Sequence, residues 1–411
     1  MLPISIHLAV QSPRRTLAGG RNLDRPAIAF LNAVSREFAG ESRPLLWLGV
    51  AQMYSWQPDE AQSTFRRLVE LNPKHEIGVA DPGGIGRRLG RCRRRPPGGR
   101  GILWLDWRRG PQLQALCGDL FAYAGRWDDA IGAFHDIDSG DPESTLKPAV
   151  LLWFKGDLDA AYDEALKEGR ALASRQFILG NVEAARGRLR AAAGLYEESA
   201  RRYKSQMFRY HQLLKAGEIW LELGAPAEIL TATGRRESPW LPGLRATAYL
   251  FQGARPSAEA EFSALRASLS PIVGEHVAAK TEQFHPLLGA FYGARYAEVV
   301  ETAAGLPASF HHLTALSLAR SLIALGRLDE ARRHLEFLVR SRLSIGAPEI
   351  YEQLAALRIG LAEYYLGEIA ANQGRLAEAR EHYRRFVSAV PPGESSLPHF
   401  GKARTVLREA R

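Results

Sequence analysis

A short arrangement recurs along this 411-residue chain: a glycine, an alanine five residues on, and an aromatic or leucine four beyond that. It appears as Gly125, Ala130, Phe134; Gly187, Ala192, Tyr196; Gly253, Ala258, Phe262; Gly326, Ala331, Leu335; and Gly374, Ala379, Tyr383. A unit that repeats its own packing residues buries them by stacking on copies of itself, so this feature constrains the fold before composition does.

The copy in residues 45 to 73, LLWLGVAQMYSWQPDEAQSTFRRLVELNP, shows both halves of the unit. Leu48, Gly49 and Gln52 belong to a first helix, and Ala61, Phe65 and Leu68 recur at i, i+4 and i+7 on a second. Pro58 suits the first turn of that second helix, where its missing N–H costs nothing. LQALCGDLFAYAGRWDDAIGAFHDIDSGDP repeats the order with Gly118, Phe121 and Pro142, while copies around Ala161 and Gly224 are weaker. Small residues in both helices let two antiparallel backbones approach closely, the aromatic fills the gap beside the crossing, and the glycine before the second helix permits a positive φ. The trailing proline is expected to stop the second helix.

These residues resemble the tetratricopeptide repeat (TPR), a two-helix unit of about 34 residues with this small, small, aromatic, proline order. The resemblance implies an all-α solenoid of antiparallel helix pairs, a TPR-like superhelix, with six clear units and two to four degenerate ones over most of residues 44 to 391. LRATAYLFQGARPSAEAEFSAL and LGEIAANQGRLAEAREHYRRFVSAV are also similar to the C-terminal repeat arrays of bacterial eukaryotic-like serine/threonine kinases. No HRD loop, DFG or VAIK-type lysine accompanies them, so no kinase activity is implied. The expected organisation is an N-terminal segment (1–43), a first unit (44–80), an irregular segment (81–110), the main array (111–391) and a C-terminal capping helix (392–411).

Ala61 and Ala130 hold equivalent positions 69 residues apart, nearly two repeats, yet Gly, Pro and Arg fill 20 of the 30 positions 81 to 110. Such a stretch has no apolar face and no helix propensity. It reads as an off-frame translation of GC-rich DNA, as a loop without a role, or as a basic arm for phosphates, in that order of preference. Between Arg87 and Arg109, nine arginines and a single acid, Asp106, carry +8 of the net +9, leaving the rest of the chain near neutrality. Nucleic-acid binding is therefore disfavoured.

Two cysteines, Cys92 and Cys117, build neither a disulfide framework nor a CxxC knuckle, and no apolar run approaches the roughly 18 residues of a membrane span. The opening MLPISIHLAV has no preceding charge or clear cleavage site, and polar residues follow the Arg14–Arg15 pair. The expected location is cytoplasmic.

Catalytic patterns are missing as well. His75-Glu76 has no second histidine at metalloprotease spacing, and His311 and His312 point about 100° apart on a helix. HDIDSGD (135–141) lacks EF-hand spacing, and Gly84, Gly86 and Gly90 lack the strand and helix of a nucleotide loop. The expectation is a non-enzyme with no metal and no cofactor.

In the repeat family, one stripe of the first helices faces a concave groove that takes the ligand. By that resemblance the groove comprises Met53, Tyr54, Asp119, Tyr123, Trp153, Phe177, Asn181, Phe251, Arg320, Tyr364, Glu368 and Asn372, with Val50, Phe154 and Thr247 beside them. Rings with sparse polar groups suit an extended or helical peptide, although about half are expected to be core. The carboxylate clamp of chaperone-binding repeats is not reproduced. The expected partner is an unidentified protein or peptide held by a scaffold. The alternative is a regulatory or sensory module controlling an effector such as a kinase or transcription regulator. Oligomeric state is not legible.

Overall fold

The computed structural model describes residues 24–37, 44–45, 48–49, 51–52, 57–71, 118, 121–122, 125–135, 142–167, 172–234, 238–273, 275–306, 311–341, 355–388 and 397–409. All regular structure among them is α-helical, in the antiparallel pairs of a helical solenoid. The irregular segment 81–110 lies outside the described residues. Contacts divide the chain into a first unit of residues 1–151 and 343–351, and a second of residues 152–342 and 352–411.

The first unit holds α1 (Asp24–Glu37), α2 (Pro58–Leu71), α3 (Trp127–His135) and most of α4 (Pro142–Lys155). Pro58 opens α2 as the sequence predicts, with Asp59 and Glu60 in the first turn, where the exposed N–H groups favour negative charge. Pro142 opens α4 and does not close α3, which has already ended at His135. Phe65 lies across Gly49, where an added Cβ would sit 2.7 Å from its ring, and Phe134 lies across Gly118 in the same way at 2.6 Å. Ile28, Leu31 and Leu48 pack together beside them.

In the second unit, α5 (Leu158–Leu166) packs on α6 (Leu172–Ala185), which pairs with α7 (Leu189–Arg202). Pairs follow as α8 (Gln206–Glu222) with α9 (Pro226–Thr233), α10 (Leu241–Phe251) with α11 (Arg255–Val273), and α12 (Glu275–Tyr292) with α13 (Tyr296–Ala304). The last are α14 (His311–Ala324) with α15 (Leu328–Ser341) and α16 (Ala356–Asn372) with α17 (Leu376–Val387), after which α18 (Pro398–Glu409) packs on α17. Phe400 of α18 stacks on Phe386 of α17 at 4.2 Å between ring centroids.

The predicted register is explicit in the packing. A Cβ at Gly180 would lie 2.7 Å from the Tyr196 ring, and one at Gly367 would lie 2.8 Å from the Tyr383 ring, so each aromatic occupies the space of the missing side chain. The turns also follow the prediction: Gly187 and Gly326 enter their second helices at φ of 74° and 76°. The pair α12–α13 is hidden in the sequence because its turn carries Ala294, at φ 56°, where the other described turns carry glycine, and because Val299 and Ala303 stand where the pattern has alanine and an aromatic.

First and second helices differ in their surroundings. Second helices such as α15 and α17 bury one stripe, whereas every residue from Tyr210 to Leu221 of α8 is buried. A helix enclosed on all sides loses one-faced amphipathicity. The enclosure arises because α8, α10, α12, α14 and α16 touch in sequence, and α16 also reaches α6.

Candidate functional site

The described groove candidates lie on α4, α6, α10, α14 and α16. Met53, Tyr54, Asp119 and Tyr123 lie outside the described residues. Of the others, Trp153, Phe177, Asn181 and Tyr364 form no open surface and are interior. Trp153 packs against Phe154 at 4.6 Å. The Phe177 ring is fully buried, with the Lys215 ammonium 3.9 Å from its centroid. Tyr364 is enclosed by Tyr383, Phe386 and His399. Asn181 accepts from the Tyr196 hydroxyl at 2.8 Å and from the Ala356 N–H at 3.1 Å. The covering elements differ: α17 and α18 enclose Tyr364, α8 reaches Phe177, and the contact of α16 with α6 covers Asn181.

Phe251, Arg320, Glu368 and Asn372 retain exposure. Phe251, the last residue of α10, lies 5.5 Å from the ring of Tyr292, the last of α12. The Tyr292 hydroxyl donates to Glu222 Oε1 at 3.3 Å, the same oxygen that takes the Arg320 guanidinium. Arg320 stacks over Phe291 and Tyr365 at 4.6 and 5.3 Å. Glu368 accepts from the Tyr383 hydroxyl at 2.7 Å, and Asn372 is exposed. The half-buried set Phe251, Tyr292, Arg320 and Tyr365 thus forms one connected aromatic and cationic rim. Burial pushes the Tyr365 hydroxyl up to about 12, so it stays a neutral hydrogen-bonding group.

Beneath this rim sits a cavity of about 20 Å³ lined by Glu218, Glu222, Tyr292, Ser317, Arg320 and Arg358, enough for about one water. Arg358 and Glu218 form a bidentate pair here, with Nε donating to Oε2 at 2.8 Å. Burial pushes the Glu218 carboxyl above its ordinary value, and Arg358 opposes that shift. Lys215, Glu218 and Glu222 were not predicted, but their i, i+3, i+7 spacing within QMFRYHQLLKAGEIWLE places them on one stripe of the helix. A second, open groove of about 600 Å³ runs between α11 and α12 beside Glu259, Phe262, Arg266, Ser270, Glu275 and Glu282.

Two of the described histidines, His285 and His311, serve packing. His285 is enclosed between Thr247 and Tyr210, with Nδ1 2.9 Å from the Thr247 hydroxyl, and burial lowers it to about 3. His311 stacks on Phe337 at 4.2 Å and meets His334 at 2.8 Å. Among the described residues no group of three or more His, Cys, Asp or Glu is arranged to hold a metal ion, and no helix is long and apolar enough to cross a membrane.

Residues 316–394, which take in most of α14 and all of α15 to α17, match the tetratricopeptide repeat family model. No curated protein matches the chain. Among solved structures, the crystal structure of the P58(IPK) TPR domain at 2.5 Å aligns over 99% of each chain at 10% identity, with a TM-score of 0.25, too low to carry a common overall geometry.

Proposed function

We propose that this chain is a non-enzymatic, cytoplasmic protein-interaction scaffold whose repeat array holds a peptide or protein segment. The observation that carries this reading is the repeated small-residue and aromatic register, together with the family match at residues 316–394. Arrays of this kind present contiguous side chains from successive helices, and partners bind across them.

The contact surface we assign is the rim of Phe251, Tyr292, Arg320 and Tyr365, flanked by Asn372. Aromatic rings and an arginine are the side chains that most often anchor interfaces, because they give large contact area at small entropic cost. A photocrosslinking residue at Phe251 or Asn372 should capture one defined protein, whereas the same residue at the exposed Glu301 on α13 should not. Capture that is equal at all three positions, or nil at the first two, would sink this assignment.

A further inference from the structure

Helix α16 meets its pair partner α17 and its neighbours α14 and α15, and it also returns to α6. Its first turn bonds to α6 and to α8. The Ala356 N–H, a first-turn donor that no helix can satisfy internally, donates to Asn181 Oδ1 across 175 residues of chain. Two positions later, Arg358 engages both oxygens of Glu218 on α8, 140 residues away. Asn181, Glu218 and Arg358 are each more than nine-tenths buried.

Cohesion alone does not call for this chemistry. Apolar residues of similar volume would hold such a junction at least as well, because a buried ion pair must first recover the hydration of both charges. What the polar junction adds is discrimination: an acceptor for a helix's first amide, and a carboxylate placed for a guanidinium on the third helical residue. The Asn181 amide nitrogen is buried without a partner in this arrangement, so the receiving face keeps one donor unused.

We infer that the first turn of α16 is an internal ligand of the face formed by Asn181 on α6 and Glu218 on α8. While it is seated, that face is closed to other segments. When it is released, the face accepts the first turn of an external helix that carries arginine at its third position. Glu218 and Arg358 line the cavity beneath the rim, and neither they nor Asn181 are themselves rim residues, so a failed crosslink at Phe251 leaves the inference standing.

The test uses the full chain and a fluorescent peptide of residues 355–372. The wild-type chain should show no saturable binding. An Arg358→Gln chain that keeps its helical circular dichroism should bind the peptide at least about tenfold tighter than the same peptide with Gln at position 358, the effect of one charge-assisted pair. Binding of neither peptide, or of both alike, would overturn the inference. Should Arg358→Gln unfold, Arg358→Lys keeps a paired buried charge and carries the test by hydrogen exchange. Amides 356–360 should then exchange faster with the arginine peptide than with the glutamine peptide, and identical traces would overturn it.

Discussion

Ala294 enters α13 at φ 56°, where the equivalent turns at Gly187, Gly253 and Gly326 use glycine. The left-handed region costs an L-residue roughly 1–2 kcal/mol, partly offset by the smaller entropy of the unfolded alanine chain. Ala294→Gly should therefore raise stability by up to about 1 kcal/mol, and Gly326→Ala should lower it by a similar amount, read from urea midpoints. The buried histidines give a second prediction. His285 and His211 sit at about 3 when folded, through burial, against about 6.5 unfolded. Their folded pKa values are depressed, so below pH 6.5 the unfolded chain binds protons that the folded chain refuses. Their stabilisation is thus complete above pH 6.5 and is lost as pH falls toward 3. Removing one ring, as in His285→Gln, should flatten the stability slope between pH 6 and 5 by up to about 1.4 kcal/mol per pH unit. Neither feature was legible in the sequence: Ala294 hides a repeat by breaking its pattern, and the burial of His285 depends on α8 and α10, which are distant in sequence.

At the scale of the helix pair, the glycine and aromatic positions were legible because one contact fixes both. Gly180 and Tyr196 illustrate it, since the ring lies where a Cβ would go and its hydroxyl is tied to Asn181. Gly180→Ala should cost about 1–3 kcal/mol through overpacking, which outweighs alanine's helix propensity of about 1 kcal/mol. Gly194, on the partner helix α7, has nothing within 4 Å of an added Cβ, so Gly194→Ala should gain up to about 1 kcal/mol. A pair of denaturation curves separates the two glycines; equal effects would refute the register. Which of the groove candidates are open to solvent was not legible. Helical offsets place Phe177 and Tyr364 on one side of their helices, but whether another helix covers that side follows from small rotations summed over six pairs. Asn372 and Phe251 stay open because they end their helices.

For the second unit as a body, the return of α16 to α6 couples elements that a linear array would leave independent. A chain ending at residue 342 should lose amide protection in α6 and α8 more than in α11 to α13, because only the former give up partners in α16. Uniform loss, or none, would show that the junction contributes little. The same 175-residue separation has a consequence during synthesis. At about 5–20 residues per second, Asn181 leaves the ribosome roughly 10–35 seconds before Ala356. For that interval the α6 surface is complete except for its last piece, so a nascent chain passes through a period of vulnerability that the finished protein never revisits, and slow codons between the two would lengthen it.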